Sequence, residues 1–244
     1  MGRLAVTKRP LRTHAFAPVA LVVCAFFFLA CGDGGQAPER STPSGPETFT
    51  FFEIGRHSRF SESLRKDLSQ KLGNDAVERR SIVDLESNYR GFLAAYLPEL
   101  EALNLRLNHP PGERVEHDVT KLMYRYARKK DVPFDYVELV FDGRSQTSLV
   151  FRIRFKKDET GLIDALRAKH GPPQVIPWEG ESGQSLVWRK ENDVLMASLA
   201  PDAFGGVDHH ICIYFGENLK RWADVEQMRK EAKSKEAPAG KAAF

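Results

Sequence analysis

An apolar run of sixteen residues, Ala15–Ala30, ends abruptly at Cys31 and is followed at once by a segment rich in Gly, Pro and Ser. The residues before this run include four basic side chains and no acidic one: Arg3, Lys8, Arg9 and Arg12. A basic start, a short apolar middle and a small residue such as Ala30 are the three parts of a secretory signal peptide. A segment of this kind does not join the fold of the mature protein.

The length of the run leaves a second interpretation open, that of a transmembrane helix. Counted through Cys31 the run has seventeen residues, which span about 25 Å at 1.5 Å per residue. The hydrocarbon core of a bilayer is about 30 Å thick. In either case the four basic residues stay in the cytoplasm, so we expect the rest of the chain to face outward.

The residues Phe28-Leu29-Ala30-Cys31 resemble a bacterial lipobox, the recognition site of the lipoprotein signal peptidase. They fit the permissive pattern of two apolar residues, a small residue and Cys. The tightest pattern instead has Leu in place of Phe28 and a small residue in place of Leu29. The resemblance to bacterial lipoproteins implies that Cys31 carries a diacylglycerol and becomes the acylated first residue of the mature protein. An uncleaved helical anchor is the alternative.

Removal of residues 1–30 changes what the composition indicates. The whole chain has 36 basic and 33 acidic residues, and the loss of four basic ones leaves 32 against 33, a net charge of −1 with His neutral. The basic character therefore belongs to the signal peptide, and an interaction with nucleic acid loses its main support. Cys24 is removed and Cys31 is lipidated, so Cys212 has no partner for an intramolecular disulfide.

Composition and periodicity divide the chain into five segments. They are a signal peptide (1–30), the lipidated Cys with a flexible tether (31–47), a helix-rich N-terminal part of the globular region (48–112), an α+β sheet part (113–229) and a disordered tail (230–244). The tether is assigned because its residues after Cys31 carry almost no apolar side chains and are rich in Gly, Pro and Ser.

The first part of the globular region reads as a strand followed by helices. Aromatic and branched residues favour a strand over Thr48–Ile54. Fourth-residue spacing of apolar side chains predicts a helix from Phe60 to Leu72 that stops at Gly73. Residues 76–85 favour a strand. A second apolar face runs from Phe92 to Leu107, and Pro98 within it either kinks one helix or starts another.

The second part reads mainly as strands. They are predicted at 121–128, 136–141, 149–156, 185–190, 194–199 and 209–215. One helix follows a plausible N-cap at Asp158, and a last helix starts near Glu217. Because strands and helices do not alternate strictly, we predict an α+β fold, a largely antiparallel sheet with helices packed on one face. This outline resembles small α+β modules of bacterial envelopes, such as the assembly-factor lipoproteins of the outer membrane.

Two clusters suggest chemistry, and neither carries a recognised motif. Asp208-His209-His210, with His117-Asp118, offers imidazoles and carboxylates for a divalent metal, but His209 and His210 point to opposite faces of a regular strand. Cys212 and His210 share a face and could form a nucleophile and base, yet the apolar run around Cys212 favours a buried thiol. We therefore predict no catalytic residue, no metal and no cofactor.

Alternation in the strand over 149–156 gives the one candidate binding face. Leu149, Phe151, Ile153 and Phe155 are expected on one face, and Arg152, Arg154 and Lys156 on the other. This basic stripe has two interpretations. It is a solvated sheet face whose charge Glu138 on a neighbouring strand partly offsets, or it binds an anionic partner, since Arg suits phosphate and carboxylate through paired hydrogen bonds.

These observations predict a protein of the bacterial cell envelope, anchored in the membrane through lipid on Cys31, with its domain outside the cytoplasm. In a Gram-negative cell this would be the periplasmic face of the outer membrane. The predicted role is non-enzymatic binding or structure, with an envelope protein or an anionic lipid as the partner and no nucleic acid. The alternative is a periplasmic hydrolase acting on an envelope polymer.

Overall fold

A computed structural model describes residues 46–127, 132–155, 160–178, 183–201 and 207–241. The signal peptide, Cys31, most of the tether, Asp158 and Lys156 lie outside these residues. Within the described ranges no helix is both long enough and apolar enough to cross a membrane.

The described residues form an α+β fold around one antiparallel sheet, as predicted. The helices are α1 (Glu62–Leu72), α2 (Phe92–Tyr96), α3 (Pro98–Leu107), α4 (Thr160–His170) and α5 (Gly216–Lys241). The strands are β1 (Ala76–Ser81), β2 (His117–Tyr124), β3 (Phe134–Asp142), β4 (Ser148–Phe155), β5 (Gln174–Pro177), β6 (Gln184–Lys190), β7 (Asp193–Pro201) and β8 (Val207–Tyr214). Their order in the sheet is β1-β2-β3-β4-β8-β7-β6-β5, so two four-stranded meanders meet at the β4–β8 pair.

Helices cover both faces of the sheet, whereas the sequence predicted them on one. On the face that we call the rear face, α1 and α4 contribute Leu68 and Ile163 to a core with Phe151. On the opposite front face, α3 and α5 contribute Leu100 and Trp222 to a second core. The inner strands carry apolar side chains on both faces, and both therefore have to be buried.

The segment over Thr48–Ile54 is a tight turn instead of the predicted strand. Phe51 and Ile54 exchange two backbone hydrogen bonds of 3.0 and 2.9 Å, and the two residues between them have positive φ angles of 46° and 67°. Positive φ at both central positions reverses the chain, so an extended strand cannot continue through them. Phe49 before the turn is only 1% exposed, and the aromatic content that suggested a strand serves the rear core.

The predicted stop of α1 at Gly73 is confirmed, and Pro98 takes the second of its two predicted roles. The Ser61 side chain caps α1, and Gly73 ends it with a φ of 88°. Pro98 occupies the first turn of α3, so it starts a second helix and does not kink a single one. Helix α5 continues to Lys241, so it includes residues 230–241 of the predicted tail. Lys, Glu and Ala in this segment are strong helix formers.

A bulge in β4 moves one predicted residue to the other face. Val150 pairs with Val140 while Ser148 pairs with Phe141, which leaves Leu149 as an extra residue. Leu149 and Val150 therefore both belong to the front core. The short edge strand β5 was not predicted, because four residues are too few to show an alternating pattern.

Candidate functional site

A continuous row of polar side chains crosses the front face near one end of the sheet. Strand pairing aligns five residues on successive strands: Tyr136 (β3), Arg154 (β4), His210 (β8), Ser198 (β7) and Ser185 (β6). We call this set the polar row. Because cross-strand partners on one face are about 5 Å apart, the five side chains form one line about 20 Å long.

A cavity of about 410 Å³ opens on the front face over the polar row. We call it the front groove. The side chains that line it include Asn88, Tyr136, Arg152, Arg154, Trp178 and His210. This size lies within the range of small-molecule sites, which is roughly 300 to 1,000 Å³.

The guanidinium of Arg152 is bound inward and its charge is compensated. Its Nη1 donates to Glu138 Oε1 at 2.8 Å, and its Nη2 donates to the carbonyl of Asp84. The other carboxylate oxygen of Glu138 accepts a hydrogen bond of 3.0 Å from the Tyr136 hydroxyl. Arg152 therefore ties the connection between β1 and α2 to the sheet, and little of its charge remains for a ligand.

Arg154 differs from Arg152 in both exposure and partners. Its side chain is exposed, and among the described residues it forms no ion pair. His210 lies directly opposite on β8. Burial is the main cause that lowers the pKa of His210; Asp208 acts in the opposite direction, and Arg154 adds to the lowering. Arg152 and Arg154 share the predicted face, while Lys156 lies outside the described residues.

Cys212 and His210 share this face, but the groove does not activate the thiol. Cys212 is a free cysteine that is 6% exposed, and burial raises its pKa. Burial also lowers the pKa of His210. An activated Cys–His pair consists of a thiolate beside an imidazolium. It therefore needs a lowered thiol pKa and a raised imidazole pKa, the reverse of what burial does here. The pair is therefore held in its neutral, unreactive form.

The histidines considered for a metal are separated in the fold. His209 packs against Phe155 with ring centroids 4.9 Å apart, on the rear face, while His210 faces the groove. His117 lies eight strand positions from the polar row, about 26 Å along the strands. Its ring nitrogens contact Glu226 Oε2 at 3.1 Å and the carbonyl of Leu107 at 3.0 Å. Across the described part of the chain, no group of three His, Cys, Asp or Glu side chains is placed to hold a metal ion.

Several groove residues were not found from the sequence. Ser185 accepts hydrogen bonds from Trp178 Nε1 at 3.0 Å and from the Asn88 amide at 3.1 Å, and it contacts Ser198 at 3.2 Å. These contacts join residues up to 97 positions apart in sequence. The available signal was a Ser within an apolar run of each strand, Ser185 before Leu186–Trp188 in β6 and Ser198 within Val194–Ala200 in β7.

The chain matches no protein-family model, no curated protein and no solved structure. The lipobox-like segment and the chemistry of the front groove are therefore the features that bear on function.

Proposed function

We propose that this protein is a lipid-anchored protein of the bacterial cell envelope, and that its domain binds an anionic partner through the front groove without catalysing a reaction. The anchor rests on the sequence Phe28-Leu29-Ala30-Cys31. Two acyl signals hold a protein stably on a membrane, where a single chain is marginal. The groove would then face the space outside the cytoplasm.

The observation that carries the binding role is the contrast between two neighbouring arginines. Arg152 has a carboxylate and a carbonyl as partners, while Arg154 is exposed and has no ion-pair partner among the described residues. An arginine held at the opening of a groove, with five N–H donors, is suited to bidentate contact with a carboxylate or phosphate.

Binding is favoured over hydrolysis because burial shifts the pKa values of the thiol and the imidazole that face the groove away from activation, although the groove also holds Glu86, a carboxyl whose pKa burial raises. A general acid and base need titratable groups whose pKa values lie near the working pH. Instead, the pKa of Cys212 is raised and that of His210 is lowered by burial. Glu138 already accepts hydrogen bonds from both Arg152 and Tyr136. These groups are suited to hold a charge and not to transfer a proton.

The anchor is tested by mass spectrometry of the mature N-terminus, together with the substitution Cys31→Ser. We expect the natural chain to begin at an acylated Cys31. The Cys31→Ser chain should remain an uncut precursor without lipid. An unmodified Cys31, or a mature chain that starts elsewhere, would contradict the anchor.

The binding role is tested by photo-crosslinking in cells. A crosslinking residue at Asn88, which is exposed at the groove, should capture a partner that is lost when Arg154→Gln is added. The control is the same residue at Arg144, which is 50% exposed in the β3–β4 turn at the other end of the sheet. Equal capture from both positions, or capture that Arg154→Gln leaves unchanged, would count against the groove.

A further inference from the structure

We infer that the front groove takes a small amphiphilic anion, a carboxylate or phosphate group on an apolar body, with the charged group at Arg154 and the body directed towards Trp178. This inference rests on the binding role proposed above and narrows its ligand. It follows from three properties of the groove: where its charge lies, where its apolar surface lies, and how large it is.

The charged group belongs at the β4–β8 end of the groove. Arg154 is the exposed cation there, and His210 lies opposite it as a second nitrogen donor or acceptor. The Tyr136 hydroxyl on the other side already donates to Glu138. Glu138 in turn is neutralised by Arg152 at 2.8 Å. An anion at this end therefore meets the exposed charge of Arg154. Two further acidic groups lie nearby: Glu86 lines the groove, accepts backbone hydrogen bonds from Gly91 and Leu93 and has a pKa raised by burial, and Asp208 lies close to His210.

The apolar body belongs at the opposite end of the groove. Trp178 lines it and is locked in place, because its Nε1 donates to Ser185 and its ring packs against Tyr89 at 5.7 Å. Ala200 on β7 adds further apolar surface between the two ends. Three strand intervals separate Arg154 on β4 from Ser185 on β6, about 14 Å. The groove thus has an anionic-group subsite and an aromatic subsite a short molecule apart.

The size of the groove favours a small molecule over a flat polymer surface. A cavity of about 410 Å³ is enough to enclose much of a compact organic ligand. Bare inorganic phosphate would leave the Trp178 end empty. A neutral apolar molecule would leave Arg154 without a partner. A molecule that has both parts makes use of both ends of the groove.

The test is isothermal titration calorimetry on the full chain, purified in an uncharged maltoside detergent, with four water-soluble probes. They are 3-phenylpropionate, phenyl phosphate, the neutral 3-phenylpropanol and inorganic phosphate. We expect the two aromatic anions to bind one per chain, at least about tenfold more tightly than the other two. Comparison of the carboxylate with the phosphate ester indicates which of the two anionic groups the site prefers.

Two variants assign the binding to the groove. Arg154→Gln should lower the affinity for both aromatic anions by about tenfold or more, because a charge-assisted hydrogen bond is lost. Arg144→Gln, the matched loss of an exposed arginine at the other end of the sheet, should leave their affinity unchanged. Thermal melts of both variants establish that they are folded.

The inference is overturned if no probe binds, if 3-phenylpropanol or inorganic phosphate binds as well as the aromatic anions, or if Arg144→Gln has the same effect as Arg154→Gln. These outcomes are separable from a failure of the proposed function. A chain that binds the anions but carries no lipid on Cys31 contradicts the envelope anchor alone. A lipidated chain that crosslinks through Asn88 yet ignores the probes contradicts the small-ligand inference alone.

Discussion

The two ends of the front face carry polar clusters of opposite character. At one end His117 is 1% exposed and contacts Glu226 and the carbonyl of Leu107. The second oxygen of Glu226 accepts from Arg229 at 2.7 Å. At the other end, Arg154 is exposed without an ion-pair partner in the described ranges, and His210 beside it lines an open groove.

This comparison shows that the hydrogen-bond and ion-pair partners of a polar side chain, more than its residue type, indicate whether it is available to bind a ligand. Both ends contain a histidine and an arginine, so residue type alone does not distinguish them. The His117 end has its polar groups bound within the chain, so it joins α5 to β2 and to the end of α3 and stabilises the fold. The Arg154 end keeps donors available for a ligand. Four measurements test whether this division holds.

The largest effect is expected at the end of the front face that holds His117 and Glu226, which we call the closed end; the Arg154 end is the open end. Glu226→Gln removes the carboxylate that a fully buried histidine contacts, and leaving a buried polar group without its partner costs about 1 to 3 kcal/mol. Urea denaturation with linear extrapolation measures the loss. Asp224→Asn on the same helix is the matched control, since its pair with Arg106 is 41% and 48% exposed, and it should cost no more than about 1 kcal/mol.

Acid pH should lower the unfolding free energy through Glu226 at the same end. The His117 contact, followed by Arg229, lowers the pKa of Glu226 from 4.5 to about 2. A carboxyl group with a lowered folded-state pKa contributes stability that is fully present above pH 4.5 and is lost as the pH falls towards 2. Solvent screening of the partly exposed Glu226 keeps the loss to about 1 to 2 kcal/mol.

The slope of unfolding free energy against pH below 4.5 should therefore be smaller in Glu226→Gln than in the natural chain. His170 contributes a separate loss of unfolding free energy at higher pH. Burial, with Lys190 and Lys169, lowers its pKa in the folded state from 6.5 to about 4. Between these pH values the unfolded chain binds a proton at His170 more readily than the folded chain, so stability is lost as the pH falls. An unchanged slope below pH 4.5 in Glu226→Gln would show that the closed end does not titrate as described.

Features that depend on neighbouring residues could be predicted from the sequence, whereas features that depend on the pairing of distant residues could not. The α+β class, the helix α1 with its end at Gly73, and most central strands follow from local signals in the sequence. The pairing of β4 with β8 joins residues about 60 positions apart, and no local pattern encodes it. The sequence therefore grouped Arg152 with Arg154, while strand register and Glu138 separate their roles.

That separation gives the third prediction. Arg152→Gln should lower the unfolding free energy by about 1 to 2 kcal/mol, because it leaves Glu138 and the carbonyl of Asp84 without their charged donor. Arg154→Gln should change it by no more than about 0.5 kcal/mol, as at an ordinary surface position. Equal destabilisation by the two substitutions, measured by urea denaturation, would remove the distinction on which the groove assignment depends.

The smallest effect concerns His210 at the open end. Burial lowers its pKa below 6.5, with smaller contributions from Arg154 and His209 in the same direction and from Asp208 in the opposite one. Protonation on acidification would place a second positive charge beside Arg154. The affinity for 3-phenylpropionate, whose carboxylate stays ionised above about pH 5, should therefore rise between pH 7.5 and about 5.5, by less than about tenfold because the lowered pKa keeps protonation partial. His210→Gln should bind the probe with no such rise, while Glu226→Gln, changed only at the closed end, should retain it. If the rise persists in His210→Gln, a different group titrates at the groove, and His210 is then a structural member of the polar row.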